Sequence, residues 1–345
     1  MARLRYSWLL LILVIGAPAG ARAQGACDRG CLRASLDQYL AAVIKHDPSA
    51  APLMPGFRQT ENAVAVPPGG GVWKTVTGLG KLQRRYVDAV SGQAAYFGVV
   101  DEGASSAVVT VRVRVEDRKI TEAEWYLARP GDPGLNGPAQ PGGAPVNLFN
   151  PDYLAANPPP QRVVPPAQRI PRASLLAITN SYFDGITAHD GTVVLAHPGC
   201  SRIENGTLMT GGRRGGGGGA RGAGAQPPVG AAPAPAAAPQ PPSANDCVAG
   251  FANLNIQLVS ARRFPVVDEE AGIVLATAVF LRRPGSPAPR NVFSEWFVID
   301  DGKIRSIYSA MFYPPGDLPV PNWPPYDGNW PLPASAAPTP AAPAR

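Results

Sequence analysis

At 345 residues, 45% hydrophobic and 16% charged, the chain is long enough for two hydrophobic cores and too apolar to be disordered throughout. Its formal charge of +6 does not describe a basic surface, because Arg3, Arg5 and Arg22 supply one half of it and Arg213, Arg214 and Arg221, in one glycine-rich tract, the other. The remainder is near neutral, which argues against nucleic acid as a partner.

Residues 1–23 read as a signal peptide. Arg3 and Arg5 form the positive region, 8–15 a short apolar core, and Ala21-Arg-Ala23 the cleavage site. The protein is expected to be exported, to the periplasm or beyond, after cleavage near Ala23. No later stretch approaches the roughly 18 apolar residues of a membrane span. An oxidising compartment suits the four cysteines. Locality pairs Cys27 with Cys31, and Cys200 with Cys247 across a long insertion. The three histidines lack the companions of a metal site, so neither a metal nor a cofactor is expected.

From residue 24 the elements run as follows. A helix covers 32–44, with Leu36, Tyr39, Leu40 and Val43 on one face. His46-Asp47-Pro48 ends it, and Asp47 caps a short helix over 48–54. Pro55-Gly56 turns the chain, 60–66 is a strand, and 79–90 reads as a second amphipathic helix. Strands follow at 94–102, 107–116 and 120–128. The middle one alternates Val109, Val111, Val113 and Val115 with Thr110, Arg112 and Arg114. Residues 130–171 are a proline- and glycine-rich arm, part of which docks through Leu148, Phe149 and Tyr153.

The same order then returns. Tyr39-Leu-Ala-Ala-Val-Ile-Lys-His46-Asp47, with Pro55-Gly56 and Glu61-Asn62, reappears 143 residues later as Tyr182-Phe-Asp-Gly-Ile-Thr-Ala-His189-Asp190, with Pro198-Gly199 and Glu204-Asn205. Seven of those 24 positions are identical without a gap, where composition alone gives roughly one or two. The chain is therefore expected to be a tandem: domain 1 over 24–129, the arm over 130–171, domain 2 over 172–313 and a proline-rich tail over 314–345. In domain 2 a helix covers 172–188, a short one 191–196 and a strand 202–209. A low-complexity insertion at 211–245 is too poor in large apolar residues to fold alone. A helical stretch at 251–258 leads into strands at 259–268, 273–281, 293–300 and 304–312. The 273–281 strand is apolar on both faces, which calls for packing on its outer side by the partner domain.

This order resembles the SnoaL-like and NTF2-like α+β cone superfamily, in which a curved antiparallel sheet wraps around helices. The resemblance rests on the first helix ending in His-Asp and covers 33–128 and 172–313. It is closer still to an uncharacterised secreted family with two such repeats, whose motifs stand here as Gln59-Thr-Glu-Asn62, Gly71-Val-Trp73, Arg202-Ile-Glu-Asn-Gly206 and Arg263-Phe-Pro-Val-Val-Asp-Glu-Glu270. The superfamily implies a cone-shaped pocket for a small organic ligand. Its ketosteroid isomerases place a helix-1 tyrosine ahead of Gly-Asp as oxyanion donor, and a carboxylate base 16 residues beyond the aspartate. Tyr39 and Tyr182 match the tyrosine. Glu61 and Glu204 follow their aspartates by 14 residues, a shift of two that keeps the same strand face. The isomerases' second acid has no match here.

Two readings stay open. In one, the cones bind a small molecule and catalyse cofactor-free isomerisation, dehydration or lyase-type elimination. Glu204 or Glu61 is then the base and Tyr182 or Tyr39 the donor, with Arg202, Asn205, His189, Trp296, Glu295, Trp73, Asn62 and His46 around the ligand. In the other, the cones are filled by side chains and the protein is a binding or assembly scaffold, with room for a homodimer. The two His-Asp pairs are read as helix ends with an Asp cap rather than catalytic dyads. Domain 2 is the repeat expected to keep a functional pocket, because Arg202 beside Glu204-Asn205 and the pair Glu295-Trp296 enrich its site; the opposing view is that Arg202, on the same strand face, holds Glu204 ionised and inert.

Overall fold

The computed structural model describes residues 27–135, 148–210, 246–286, 288 and 290–314. The expected signal peptide, the insertion and the tail beyond residue 314 lie outside them. The first repeat comprises α1 (Arg29–Ile44), β1 (Leu53–Glu61), β2 (Val64–Ala65), α2 (Val72–Thr75), β3 (Gly78–Asp88), β4 (Gln93–Glu102), β5 (Ser105–Glu116) and β6 (Lys119–Ala128). A short helix, α3 (Pro151–Ala156), lies in the arm. The second repeat comprises α4 (Arg172–Ala188), β7 (Ala196–Glu204), β8 (Thr207–Leu208), β9 (Ile256–Asp268), β10 (Ile273–Arg282), β11 (Arg290–Asp300) and β12 (Lys303–Phe312).

Each repeat builds a six-stranded sheet, in the orders β2-β1-β6-β5-β4-β3 and β8-β7-β12-β11-β10-β9. The sheets are mixed, not wholly antiparallel as the sequence suggested. The chain crosses the whole sheet after the β1–β2 hairpin, so β1 joins β6 in parallel, as β7 joins β12. The fold is therefore α+β with two matching sheets and few helices.

The repeated motif sets the start of each sheet. Asp28 caps α1 by accepting the Cys31 N–H. His46 and His189 end α1 and α4 at φ 58° and 57°, the left-handed conformation that stops a helix. Asp47 and Asp190 then cap single 3₁₀ turns through the Ser49 and Thr192 N–H groups. Those turns are shorter than the expected helices, and the strands begin at Leu53 and Ala196. Pro55-Gly56 and Pro198-Gly199 are not turns between elements but lie inside β1 and β7. Gly56 and Gly199 have positive φ there, and the pairing register shifts.

Residues 79–88 belong to strand β3, with 89–90 in the turn that follows, and form no helix. Its pairing with β4 shifts register between Leu79 and Gln83, and that bulge breaks the period of two into a spacing that imitates a helical face. Residues 251–258 likewise hold one 3₁₀ turn, Phe251–Asn253, before β9 begins. The cysteines pair as expected, Cys27 with Cys31 and Cys200 with Cys247, which fits an oxidising compartment. Among the described residues no helix is long and apolar enough to cross a membrane.

One face of each sheet packs on its own helix, and the opposite faces pack on each other. Val109, Val111 and Val113 of β5 join Leu36, Tyr39 and Val43 of α1. On the other face Phe97 and Val108 meet Leu275, Trp296 and Tyr308. This covering explains the doubly apolar β10: Val274 and Ala276 face α4, while Ile273 and Leu275 face the first repeat. The arm packs against the same cluster. Leu154 is buried beside Phe149 and Tyr153, and Tyr86 and Tyr308 donate to the Pro160 and Pro158 carbonyls. The arm also fixes Gly206, because a Cβ there would lie 2.0 Å from the Asn150 carbonyl oxygen.

The interface is reciprocal, as in a two-fold dimer. Asp268 accepts from the Val87 N–H (2.8 Å) and from Arg29 (3.0 Å). Asp88 accepts from the Val267 N–H (3.0 Å) and from Arg172 (2.8 Å). Burial pushes the Asp88 carboxyl up, but Arg172 and the Val267 and Ser91 groups outweigh it and hold it below its ordinary value. A depressed folded pKa contributes stability above the unfolded value of about 3.9, lost as pH falls. Asp88→Asn should therefore cost about 1.5–3 kcal/mol at neutral pH. The gap to wild type should narrow below about pH 4, as read by urea unfolding. A pH-independent difference would show that the charge is irrelevant.

Candidate functional site

The repeats share a backbone plan but differ in what fills the space between helix and sheet. In the first, Tyr39, Trp73 and Trp125 are at most 1% exposed. Tyr39 and Trp73 both donate to Gln59 Oε1 at 2.7 Å, and Trp125 Nε1 donates to the Tyr39 hydroxyl at 2.9 Å. Glu61 Oε1 accepts from the Val72 N–H at 2.7 Å and from Gln59 at 3.2 Å. A Cβ at Gly71 would lie 1.9 Å from that oxygen, so glycine lets the carboxylate close over the turn into α2. Burial raises the Glu61 carboxyl, opposed by the Val72 N–H and Arg129. Tyr39, Glu61 and Trp73 thus all spend a polar group on Gln59. The expected base and donor of domain 1 form a packed plug.

The second repeat, with Leu135 and Leu148 of the arm, lines a half-open cavity of about 670 Å³. Tyr182 and Ile186 of α4, Arg202 and Glu204 of β7, and Phe280 and Arg282 of β10 lie in its wall. Arg202 is its polar centre. Its Nη1 donates to Glu204 Oε2 at 2.7 Å, while Nε and Nη2 donate to Glu295 Oε1 at 3.2 and 3.0 Å. Tyr313 closes the set by donating to Glu204 Oε1 at 2.6 Å. Glu295 is fully buried, and its Oε2 has no partner among the described residues.

Burial pushes the Glu295 carboxyl up, and Arg202 offsets this only in part. For Arg202 burial works against the charge, but Glu204, Tyr182 and Glu295 outweigh it and raise its pKa well above the usual value. Burial also raises the phenols of Tyr182 and Tyr313, so both stay protonated, and Tyr313 is the one that donates to Glu204. Tyr182 is held in place by edge contacts with Phe251 and Phe297, at 5.3 and 5.4 Å between ring centroids.

Strand register shows which residues the two repeats place at matching positions. Trp125 lies opposite Glu61 and Val111, whereas Ser309 lies opposite Glu204 and Glu295. An indole in the first repeat is therefore matched by a hydroxymethyl in the second. Gln59 is matched by Arg202 and Val111 by Glu295. Trp73 is matched by the smaller Phe251, for His46 donates to the Trp73 carbonyl as His189 does to that of Phe251.

The other expected site residues divide by role. Arg202, Glu204 and Tyr182 come together at the cavity, and Glu295 stands behind Arg202. His46 and His189 are helix terminators bonded to backbone. Asn62 and Asn205 each exchange two hydrogen bonds with a backbone position, Leu127 and Met311, so neither amide is free for a ligand. Trp296 points away from the cavity: adjacent strand residues face opposite sides. It packs on Tyr86 and Phe97 and donates to Thr110 across the interface. Sequence reading missed Tyr313, Arg282 and Ser309. Aligning the last strands from Lys119 and Lys303 would have set Ser309 against Trp125.

A family model described as a domain of unknown function (DUF8021) matches residues 168–311, the second repeat. No curated protein matches the chain.

Proposed function

We propose that this is an exported small-molecule-binding protein of the NTF2-like kind, with its ligand held in the second repeat. The observation that carries the reading is the contrast within one chain. Gln59 and Glu61 are bonded into the tryptophan plug of the first repeat, while their counterparts Arg202 and Glu204 line a cavity of about 670 Å³ in the second. That volume lies in the range of drug-sized ligand sites, which are mostly apolar with a few convergent polar groups. The first repeat, by the same reasoning, serves as a scaffold that covers the outer face of the second sheet.

A catalytic version, a cofactor-free isomerase or lyase with Glu204 as base and Tyr182 as donor, draws on both residues lining the cavity. Binding is the better-supported version, because both Glu204 oxygens already accept strong hydrogen bonds from Arg202 and Tyr313. With both oxygens so engaged, Glu204 is poorly placed to reach a substrate proton.

Thermal-shift screening of a metabolite library on wild type and Leu254→Trp tests the reading. Leu254 lines the cavity, and an indole there removes ligand volume. A ligand at a hundred times its dissociation constant adds about 2.7 kcal/mol, a shift of several degrees. Hits should raise the wild-type transition and lose the effect in Leu254→Trp. Hits that stabilise both proteins equally would place binding elsewhere and defeat the proposal.

A further inference from the structure

Among the described residues, Arg282 is the cation of the cavity wall that takes part in no ion pair. Its guanidinium lies over the Tyr313 ring, 5.5 Å from the centroid, and donates to the Ala288 carbonyl at 3.1 Å. None of the ion pairs among the described residues includes it, whereas Arg202 in the same wall has two carboxylates. Asp246 also lines the cavity, with its Oδ1 accepting from the Val248 N–H. The groups acting on the charge of Arg282 are Tyr313, Glu204 and Arg202, and burial disfavours it. Glu204 is already committed to Arg202 and Tyr313.

The first repeat shows what this position does when no ligand is needed. Strands β4 and β10 match from Gly92 and Gly272, whose carbonyls accept from Val115 and Ile299 in the same way. Arg282 therefore stands where the first repeat has Glu102. Tyr313, one residue beyond β12, stands where it has Arg129. Glu102 and Arg129 form a two-pronged ion pair at 2.7 and 2.8 Å. The second repeat replaces that closed pair with a cation on an aromatic ring, at the wall of a largely apolar space.

Building on the proposed cavity, we infer that the ligand is an organic anion: an apolar body lying against Ile186, Phe251, Phe280 and Met311, with a carboxylate or sulfonate head held by Arg282. A guanidinium offers paired donors to a planar or tetrahedral oxyanion. Bringing a complementary charge to a half-buried, unpaired cation also relieves the cost of its burial.

Two fluorescent probes with the same aromatic body separate this inference from the cavity itself: anilinonaphthalene sulfonate, an anion, and N-phenylnaphthylamine, which is neutral. Both should bind wild type, the anion more tightly, and Leu254→Trp should weaken both. Arg282→Gln should lower the preference for the anion over the neutral probe about tenfold, the loss of one charge-assisted contact. Arg282→Lys should restore most of the preference. The ratio of affinities is the readout, so general loosening of the fold, which affects both probes, does not imitate the result. An unchanged ratio in Arg282→Gln overturns the anion inference while leaving the cavity intact. Failure of both probes to bind wild type overturns the cavity reading and this inference with it.

Discussion

Arg202→Met should cost the protein about 3–5 kcal/mol at neutral pH, since removing one member of a buried charge set strands the others. Here two carboxylates are stranded, Glu204 and Glu295, both nearly or wholly inaccessible to water. The pH dependence has a definite sign. Burial already raises the Glu295 carboxyl in wild type, and Arg202 is what restrains it. Without Arg202 its folded pKa climbs further above the unfolded value of about 4.3. A group with a raised folded pKa contributes its stability below the unfolded pKa and loses it as pH rises through the folded one. The deficit of Arg202→Met should therefore be smaller near pH 5 than near pH 8, as read by urea unfolding at both. A deficit that shrinks as pH rises would mean that the carboxylates are not the stranded groups.

A companion variant tests the same point from the opposite side. Arg202→Gln, Glu295→Val and Ser309→Trp together convert the second repeat to the set found in the first. The triple variant should be more stable than Arg202→Met alone, because it removes Glu295 together with Arg202, leaves Glu204 an amide donor as Gln59 provides for Glu61, and refills the space. It should also abolish ligand binding.

Trp125→Ala should cost about 3–5 kcal/mol, the usual price of emptying a buried indole. The side chain is 1% exposed and contacts the Tyr39 ring at 6.3 Å between centroids. The loss also removes the indole donor from the Tyr39 hydroxyl, though Tyr39 keeps Gln59 as its acceptor. Trp125→Phe retains most of the volume and should recover about half of the loss. A cost below about 1 kcal/mol for Trp125→Ala would mean that the plug is not what supports the first repeat.

Much of the site was legible once the repeat was seen. Arg202-Ile-Glu204 was expected to enrich the pocket, and the opposing view, a pair along one strand face, is what the structure shows, since residues two apart in a strand point the same way. The His-Asp pairs read correctly as terminator and cap, because those roles depend on local backbone alone. Trp296 did not read correctly: being next to Glu295 in sequence places it on the opposite face, toward the first repeat. The helical reading of 79–90 failed for a related reason. A bulge that only pairing with β4 reveals changes which of its residues are buried.

The sequence by itself determined the duplication, the cysteine pairs, the doubly buried β10 and the repeated glutamate that starts each site. All of these follow from short-range patterns or from composition. Tertiary structure decided which repeat is hollow, because that depends on residues from different strands meeting opposite one another. Ser309 in place of Trp125, and Arg282 with Tyr313 in place of Glu102 with Arg129, lie far from the motif in the chain. Only the register of β4 with β5 and of β6 with β1, repeated in β10, β11, β12 and β7, brings them beside it. Volume and charge in an interior are set by such cross-strand neighbours, and a single strand's pattern does not carry them.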